Sequence, residues 1–120
     1  MKQIGVVEDN PDNRLLIQAM LEDIYEIKEF GSGAAALAAF TQSKPDLVLM
    51  DISMPHMDGP EVLRRIRADD HLKDLPVIAL TAHAMAGDRE KYLQMGFDHY
   101  LTKPILDEDV LIEAIESLIK

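Results

Sequence analysis

Three short, uninterrupted apolar runs, Ile4 to Val7, Leu47 to Met50 and Val77 to Leu80, constrain this chain more than any other feature. Each ends in polar residues and is followed by a stretch compatible with a helix. A strand that is apolar at every position must be covered on both faces, so runs of this kind belong in a parallel sheet sandwiched between helices. Tyr25 to Phe30 instead alternates Tyr25 and Ile27 with Glu26 and Lys28, as an edge strand does, and Tyr100-Leu101 supplies a short fifth strand. The strand starts follow one another by roughly one βα repeat. Five such units predict an open, parallel, three-layer α/β domain.

The intervening segments carry helical periodicity. Val110, Leu111, Ala114, Ile115, Leu118 and Ile119 form one stripe, and Leu15, Leu16, Ala19 and Met20 form another. Asn10 before Pro11 has the pattern of an N-cap followed by proline at the first helical position. Gly59-Pro60 repeats it ahead of Val62, Leu63 and Ile66, and Ser32 reads as the cap of the second helix. From Ala86 to Met95 the stripe is poorest, with Tyr92 and Met95 the best candidates for burial. That helix is expected to be the least firmly anchored.

With 120 residues, nearly half of them apolar, residues 1–120 are expected to form one domain around one modest core, with no room for a catalytic or DNA-binding partner domain. The 22 acidic residues against 12 basic ones give a formal charge of -10, which disfavours nucleic acid or an anionic membrane and suits cations or basic protein patches. Without cysteine, disulfides, thiolate metal sites and thiol catalysis are excluded. The opening MKQIGVVEDN is broken at Glu8 and is no signal peptide, and no run approaches the roughly 18 apolar residues of a membrane span. A soluble, cytoplasmic protein is the expectation.

In open α/β sheets, function collects outside the carboxyl ends of the strands. The first strand runs into Glu8-Asp9, the third into Asp51, the fourth into Thr81 and the fifth into Lys103-Pro104. These groups should share one rim. Carboxylates crowded there repel one another unless some are protonated or a cation sits among them. With only oxygen donors on offer, and Asp9 and Asp51 as expected direct ligands, Mg²⁺ fits better than zinc. Thr81 and Lys103 add a hydroxyl and an ammonium, the groups that phosphoryl oxygens need. Taken singly, Thr81 is an ordinary strand-end residue and Lys103 an ordinary solvated charge; together they suggest a phosphate site.

These residues carry a family resemblance. VVEDNPDNR at the first strand end, PDLVLMDISMPHMDG around Asp51, VIALTA ending near Thr81 and YLTKP at 100–104 appear in the order found in response regulator receiver domains, which the chain resembles over essentially its whole length. The resemblance implies a flavodoxin-like (βα)5 sandwich with strand order 2-1-3-4-5. It also implies that Asp51 accepts a phosphoryl group from a histidine kinase or histidine phosphotransfer protein, and that the chain acts as a phosphoacceptor signalling domain rather than an enzyme.

By the same resemblance Asp9 and Asp51 bind Mg²⁺ through carboxylates, Ser53 through its backbone carbonyl and Glu8 mainly through water. Thr81, Ala82 and Lys103 contact the phosphoryl oxygens. The Lys103-Pro104 bond is implied to be cis, against about 5–6% for X-Pro bonds in general. Thr81 and Tyr100 are implied to act as the switch, altering a face built from the fourth helix, fifth strand and fifth helix for a downstream protein partner. Ser53 and His83 stand at positions that tune dephosphorylation, and both admit water, so a phosphate lasting minutes is expected. A monomer or weak dimer is expected. Pro60, where many members carry an aliphatic residue, is a departure. LTAHAMAGD resembles the version in cell-division single-domain receivers and in receivers of hybrid kinases; Met1 just before the first strand favours a free domain over one excised from a hybrid kinase.

Two rival readings bear weighing. Gly31-Ser32-Gly33-Ala34-Ala35-Ala36 formally fits the dinucleotide fingerprint, but it follows the second strand and leaves Glu8, Asp9, Thr81 and Lys103 unexplained. A phosphohydrolase using Asp51 as nucleophile would want a second acid two residues on, where Ser53 stands. His56, His71 and His99 show no metal-ligand spacing.

Overall fold

In the computed structural model, which describes residues 1–82, 85–103, 105 and 107–119, the apolar runs are strands buried along their length. β1 is Gln3–Val7, β3 Leu47–Asp51 and β4 Val77–Thr81; β2, Glu26–Phe30, and β5, His99–Thr102, lie at the two edges. All pairings are parallel and the order is β2-β1-β3-β4-β5, the doubly wound, flavodoxin-like arrangement expected. Successive residues of a strand point to opposite faces. Val48 and Met50 therefore enter one core with Phe40, Leu63 and Ile66, while Leu47 and Leu49 enter the other with Ile17, Leu111 and Ile115. That is why these runs are apolar at every position. Among the described residues no helix is long and apolar enough to cross a membrane.

The helices are α1 (Pro11–Leu21), α2 (Gly33–Gln42), α3 (Gly59–Ala68), α4 (Asp88–Met95) and α5 (Glu108–Leu118). Asn10 caps α1 through the Asp12 and Asn13 N–H groups, with Pro11 opening the helix, and Ser32 caps α2 through the Ala35 N–H. At α3 the device differs from the Gly59-Pro60 reading: Asp58 is the cap, accepting from the Glu61 N–H, and Gly59 and Pro60 are already helical. Glycine has no side chain with which to cap, whereas the preceding aspartate does.

The apolar stripe of α1 also differs. Ile17 and Leu21 are buried, whereas Leu15 is 66% and Leu16 36% exposed, and Ala19 faces solvent. From Leu15 to Leu21 the helix is apolar most of the way round, so periodicity admits two rotations. Half-buried Asn13 and Arg14, both bonded to Glu8, choose the one that puts Ile17 and Leu21 inward. In α5, Leu111, Ala114 and Ile115 are buried, Leu118 and Ile119 partly so, and Val110 lies off the stripe at 47% exposure.

The anchorage of α4 is as weak as its sequence suggests. Tyr92 is its one buried side chain among the described residues, and Met95, expected inward, is 43% exposed. Glycines at positive φ, Gly87 at 87° and Gly96 at 115°, bound the helix. Met95 is its last residue, immediately before the left-handed Gly96. Arg67 holds its far end from α3 by donating to the Gly96 carbonyl and to Asp98.

The two faces of α1 separate experimentally. Ile17→Ala should lower stability by about 2–5 kcal/mol, and Leu15→Ala should change it by no more than about 0.5 kcal/mol. Urea unfolding of the two variants checks this, and the reverse ranking would restore the Leu15 stripe.

Candidate functional site

Parallel register gathers the polar strand ends. Val7 is level with Met50, so Glu8 stands beside Asp51; Asp51 is level with Leu80 and Thr81 with Thr102, so Lys103 follows beside Thr81. Glu8 is 0%, Asp51 2% and Thr81 4% exposed. The Lys103 N–H donates to the Thr81 carbonyl at 2.7 Å, and from there its side chain crosses to both carboxylates. Its Nζ donates to Glu8 Oε1 at 2.9 Å and to Asp51 Oδ1 at 3.0 Å.

Each carboxylate has its own supports. The Glu8 N–H donates to the Phe30 carbonyl at 3.0 Å, its carbonyl accepts from Arg14 Nη1 at 2.7 Å, and its Oε1 accepts from Asn13 Nδ2 at 2.9 Å. Asp51 Oδ1 accepts from the Ser53 N–H at 3.1 Å. Beyond it the chain folds back tightly. The Gly59 N–H donates to the Ile52 carbonyl, and a Cβ on Gly59 would stand 2.5 Å from the Asp51 carbonyl oxygen, so no larger residue fits without moving the strand end.

Glu8, Asp9 and Asp51 each offer an oxygen, and these oxygens lie within 4.8 Å of one another. Glu8 Oε2 is buried and has no hydrogen-bond partner among the described residues. An all-oxygen donor set, an orphaned buried carboxylate oxygen and three negative groups against one ammonium suit a hard dication such as Mg²⁺. Exposed Asp9 leaves the site open to solvent on one side, as an ion that retains water requires.

The electrostatics follow from burial. Desolvation, reinforced by Glu8, pushes the Asp51 carboxyl up to about 7, despite the opposing pull of Lys103. Burial acts on Glu8 in the same sense, but neighbouring Asp51, Lys103 and Asn13 prevail and hold it below the ordinary value. Burial works against the Lys103 ammonium, yet the two carboxylates raise its pKa. Without a metal, Lys103 pairs with two carboxylates at once, and burial beside Glu8 favours the protonated form of Asp51.

Of the other expected site residues, Ser53 and Ala82 are exposed at the rim. Tyr100 is half-buried on β5 and stacked on Tyr92, with ring centroids 5.7 Å apart at 17°; its hydroxyl is buried without a hydrogen-bond partner among the described residues. Burial raises its pKa. His83 and Pro104 lie outside the described residues, and with them the dephosphorylation and cis-peptide expectations. His56 and His71 are exposed, and His99 Nδ1 accepts from the Tyr100 N–H. The Gly31 to Ala36 run serves packing: a Cβ on Gly33 would stand 2.3 Å from Val62 Cγ2, so the glycine lets α2 approach α3.

Sequence reasoning missed Asn13 and Arg14 as partners of Glu8 and read Gly59 as a cap, whereas Tyr92 was expected to be buried and is. For the first two the available signal was a helix starting at Pro11, whose first turn returns toward Glu8. For Gly59 the sequence held no separate signal, because a glycine just ahead of Pro60 at a helix start reads equally as a cap.

A model of the response regulator receiver domain matches residues 4–116. The chain is 47% identical over 108 residues to the sensor protein GacS of Pseudomonas syringae pv. syringae, covering 87% of this chain but only 12% of that protein's length. It is 41% identical over 117 residues to the polar-differentiation response regulator DivK of Brucella anthropi, covering 97% of this chain and 94% of DivK. The receiver domain of sensor histidine kinase PA1611 from Pseudomonas aeruginosa PAO1, solved with a magnesium ion coordinated in its active-site cleft, superposes with a TM-score of 0.88 at 38% identity over 98% of this chain and 97% of that one.

A carboxyl that binds its proton more tightly in the folded chain than in the unfolded chain makes stability fall as pH rises between the two values. For Asp51 that window runs from the ordinary 3.8 up to about 7. In chelator, Asp51→Asn should therefore melt above the unsubstituted protein at pH 8, with the difference shrinking toward pH 4. Thermal melts across that range check the trend, and a variant less stable at pH 8 would contradict the assigned strain.

Proposed function

Because this chain belongs to the response regulator receiver domain family, a module of two-component signalling, we propose that Asp51 is its phosphoryl acceptor and that Glu8, Asp9, Asp51 and the Ser53 carbonyl hold Mg²⁺. The observation that carries this reading is the Lys103 ammonium lying between two buried carboxylates, 2.9 Å from Glu8 and 3.0 Å from Asp51.

The donor is a phosphohistidine of a histidine kinase or phosphotransfer protein. An Asp51 carboxylate oxygen bonds to phosphorus as the phosphorus–nitrogen bond breaks; the electron pair stays on the imidazole, which takes up a proton. Mg²⁺ bound among the carboxylates supplies charge neutralisation for the phosphoryl oxygens. Lys103, the Thr81 hydroxyl and the Ala82 N–H provide the remaining contacts to those oxygens. The reaction is a stoichiometric transfer, so the chain works as a signalling acceptor rather than as an enzyme of repeated turnover.

In this reading the phosphorylated state draws Thr81 toward the phosphoryl group and Tyr100 inward behind it, changing the face made by α4, β5 and α5. The weak anchorage of α4 supports such a two-state surface. A downstream protein reads that face, with residues 1–120 acting as one cytoplasmic domain, monomeric or weakly dimeric. A second reading, the receiver part of a hybrid kinase, is favoured by the 47% identity to GacS, of which the chain spans 12%.

Acetyl phosphate with Mg²⁺ should add one phosphate, seen by intact mass, and Asp51→Asn or chelation should abolish it. Labelling that survives Asp51→Asn at unchanged stoichiometry would sink the assignment. Mg²⁺ at 100 times its Kd should raise stability by about 2.7 kcal/mol. Asp9→Ala should remove most of that increment in thermal melts, and no shift at millimolar Mg²⁺ would count against the metal site.

A further inference from the structure

We propose that Asn13 is a positioning residue of the carboxylate site, the donor that orients Glu8 so that one of its oxygens faces the cation; this rests on reading Glu8, Asp9 and Asp51 as a divalent-cation site. The Glu8 carboxylate is used unevenly. Oε1 accepts from Asn13 Nδ2 and from Lys103 Nζ, both at 2.9 Å, whereas Oε2 is buried with no hydrogen-bond partner among the described residues. A buried carboxylate oxygen lacking a donor is costly unless positive charge or a polarised water meets it. With two donors crowded on Oε1, Oε2 is the oxygen presented to the ion or to a water that it holds.

The two donors are not equivalent. Lys103 also serves Asp51, at 3.0 Å, and is drawn toward the phosphoryl oxygens once Asp51 is modified. Asn13 is tied to α1 instead. Asn10 Oδ1 accepts from the Asp12 and Asn13 N–H groups at 2.8 and 3.3 Å, and Arg14, one residue further, holds the Glu8 carbonyl at 2.7 Å. The first turn of α1 thus grips Glu8 by backbone and side chain together. A neutral amide also leaves intact the negative charge that attracts the cation, which a second ammonium would cancel. Asn13 therefore keeps Glu8 in place while Lys103 changes partners.

The test is calorimetric titration of Mg²⁺ into the metal-free chain, with folding confirmed by circular dichroism. Asn13→Leu, which keeps the branched shape but is bulkier and has no donor, should weaken Mg²⁺ binding about tenfold, the lower end of what loss of a group orienting a metal ligand brings. Introduced into Glu8→Gln, the same substitution should add little, because Asn13 acts through the Glu8 carboxylate. Where Asn13→Leu does not fold, Asn13→Ala makes the same comparison. Unchanged affinity, or an equal loss in both backgrounds, overturns the proposal while leaving the metal site standing. An unsubstituted chain that binds no Mg²⁺ overturns the metal reading and this inference with it.

Discussion

The contact on which the site depends is the Lys103 ammonium held between Glu8 and Asp51. Taking two carboxylates and an ammonium out of water costs several kcal/mol per ion before any attraction is counted, and that loss is offset only by good geometry. Here the geometry comes from the sheet. Three separate strand ends must be level to within a residue, and the parallel register of β1, β3 and β4 with β5 makes them so. A slip of one residue in any pairing would turn a ligand into the core and an apolar side chain into the site.

The scaffold on the two sides of this contact differs in firmness. On the α1 side Asn10, Asn13 and Arg14 tie the helix to Glu8, and Ile17 and Leu21 seat it on the sheet. On the α4 side the helix is held by Tyr92 and by Arg67 at its far end, with a positive-φ glycine at each boundary. Glu8 is therefore fixed to the stiff half, whereas β4 and β5, which carry Thr81 and Tyr100 and lead directly into Lys103, border the compliant half.

The sequence disclosed the fold and the rim well because both rest on local signals. Continuous apolar runs require a two-sided cover, and the polar residue ending each run has nowhere to lie but at the carboxyl edge. What escaped were features of rotation and close approach. The α1 segment offers more apolar residues than one face can bury, so Leu15 and Ile17 compete, and the winner is set by Asn13 and Arg14, whose partner is distant in neither sequence nor space but invisible to periodicity. Gly59 looked like a cap and is instead a spacer against the Asp51 carbonyl, a role that only the folded chain reveals. Met95, the last residue of α4 before the left-handed Gly96, is exposed although helical spacing pairs it with buried Tyr92.

The charges gathered at the site bear directly on the proposed transfer. Three carboxylates and one ammonium leave an excess of about two negative charges, which a dication cancels. Under the proposed transfer, phosphorylating Asp51 would trade one carboxylate charge for roughly two on the phosphoryl group, so a balance reached with a dication would be lost again by about one charge. In that state Lys103 would face stronger acceptors than Glu8 and Asp51, and its backbone is bonded to the Thr81 carbonyl at the end of β4. A site neutral in one state and anionic in the other would have a reason to redirect its ammonium, and the weakly anchored α4 lies on the side of the sheet nearest that change under the proposed reading.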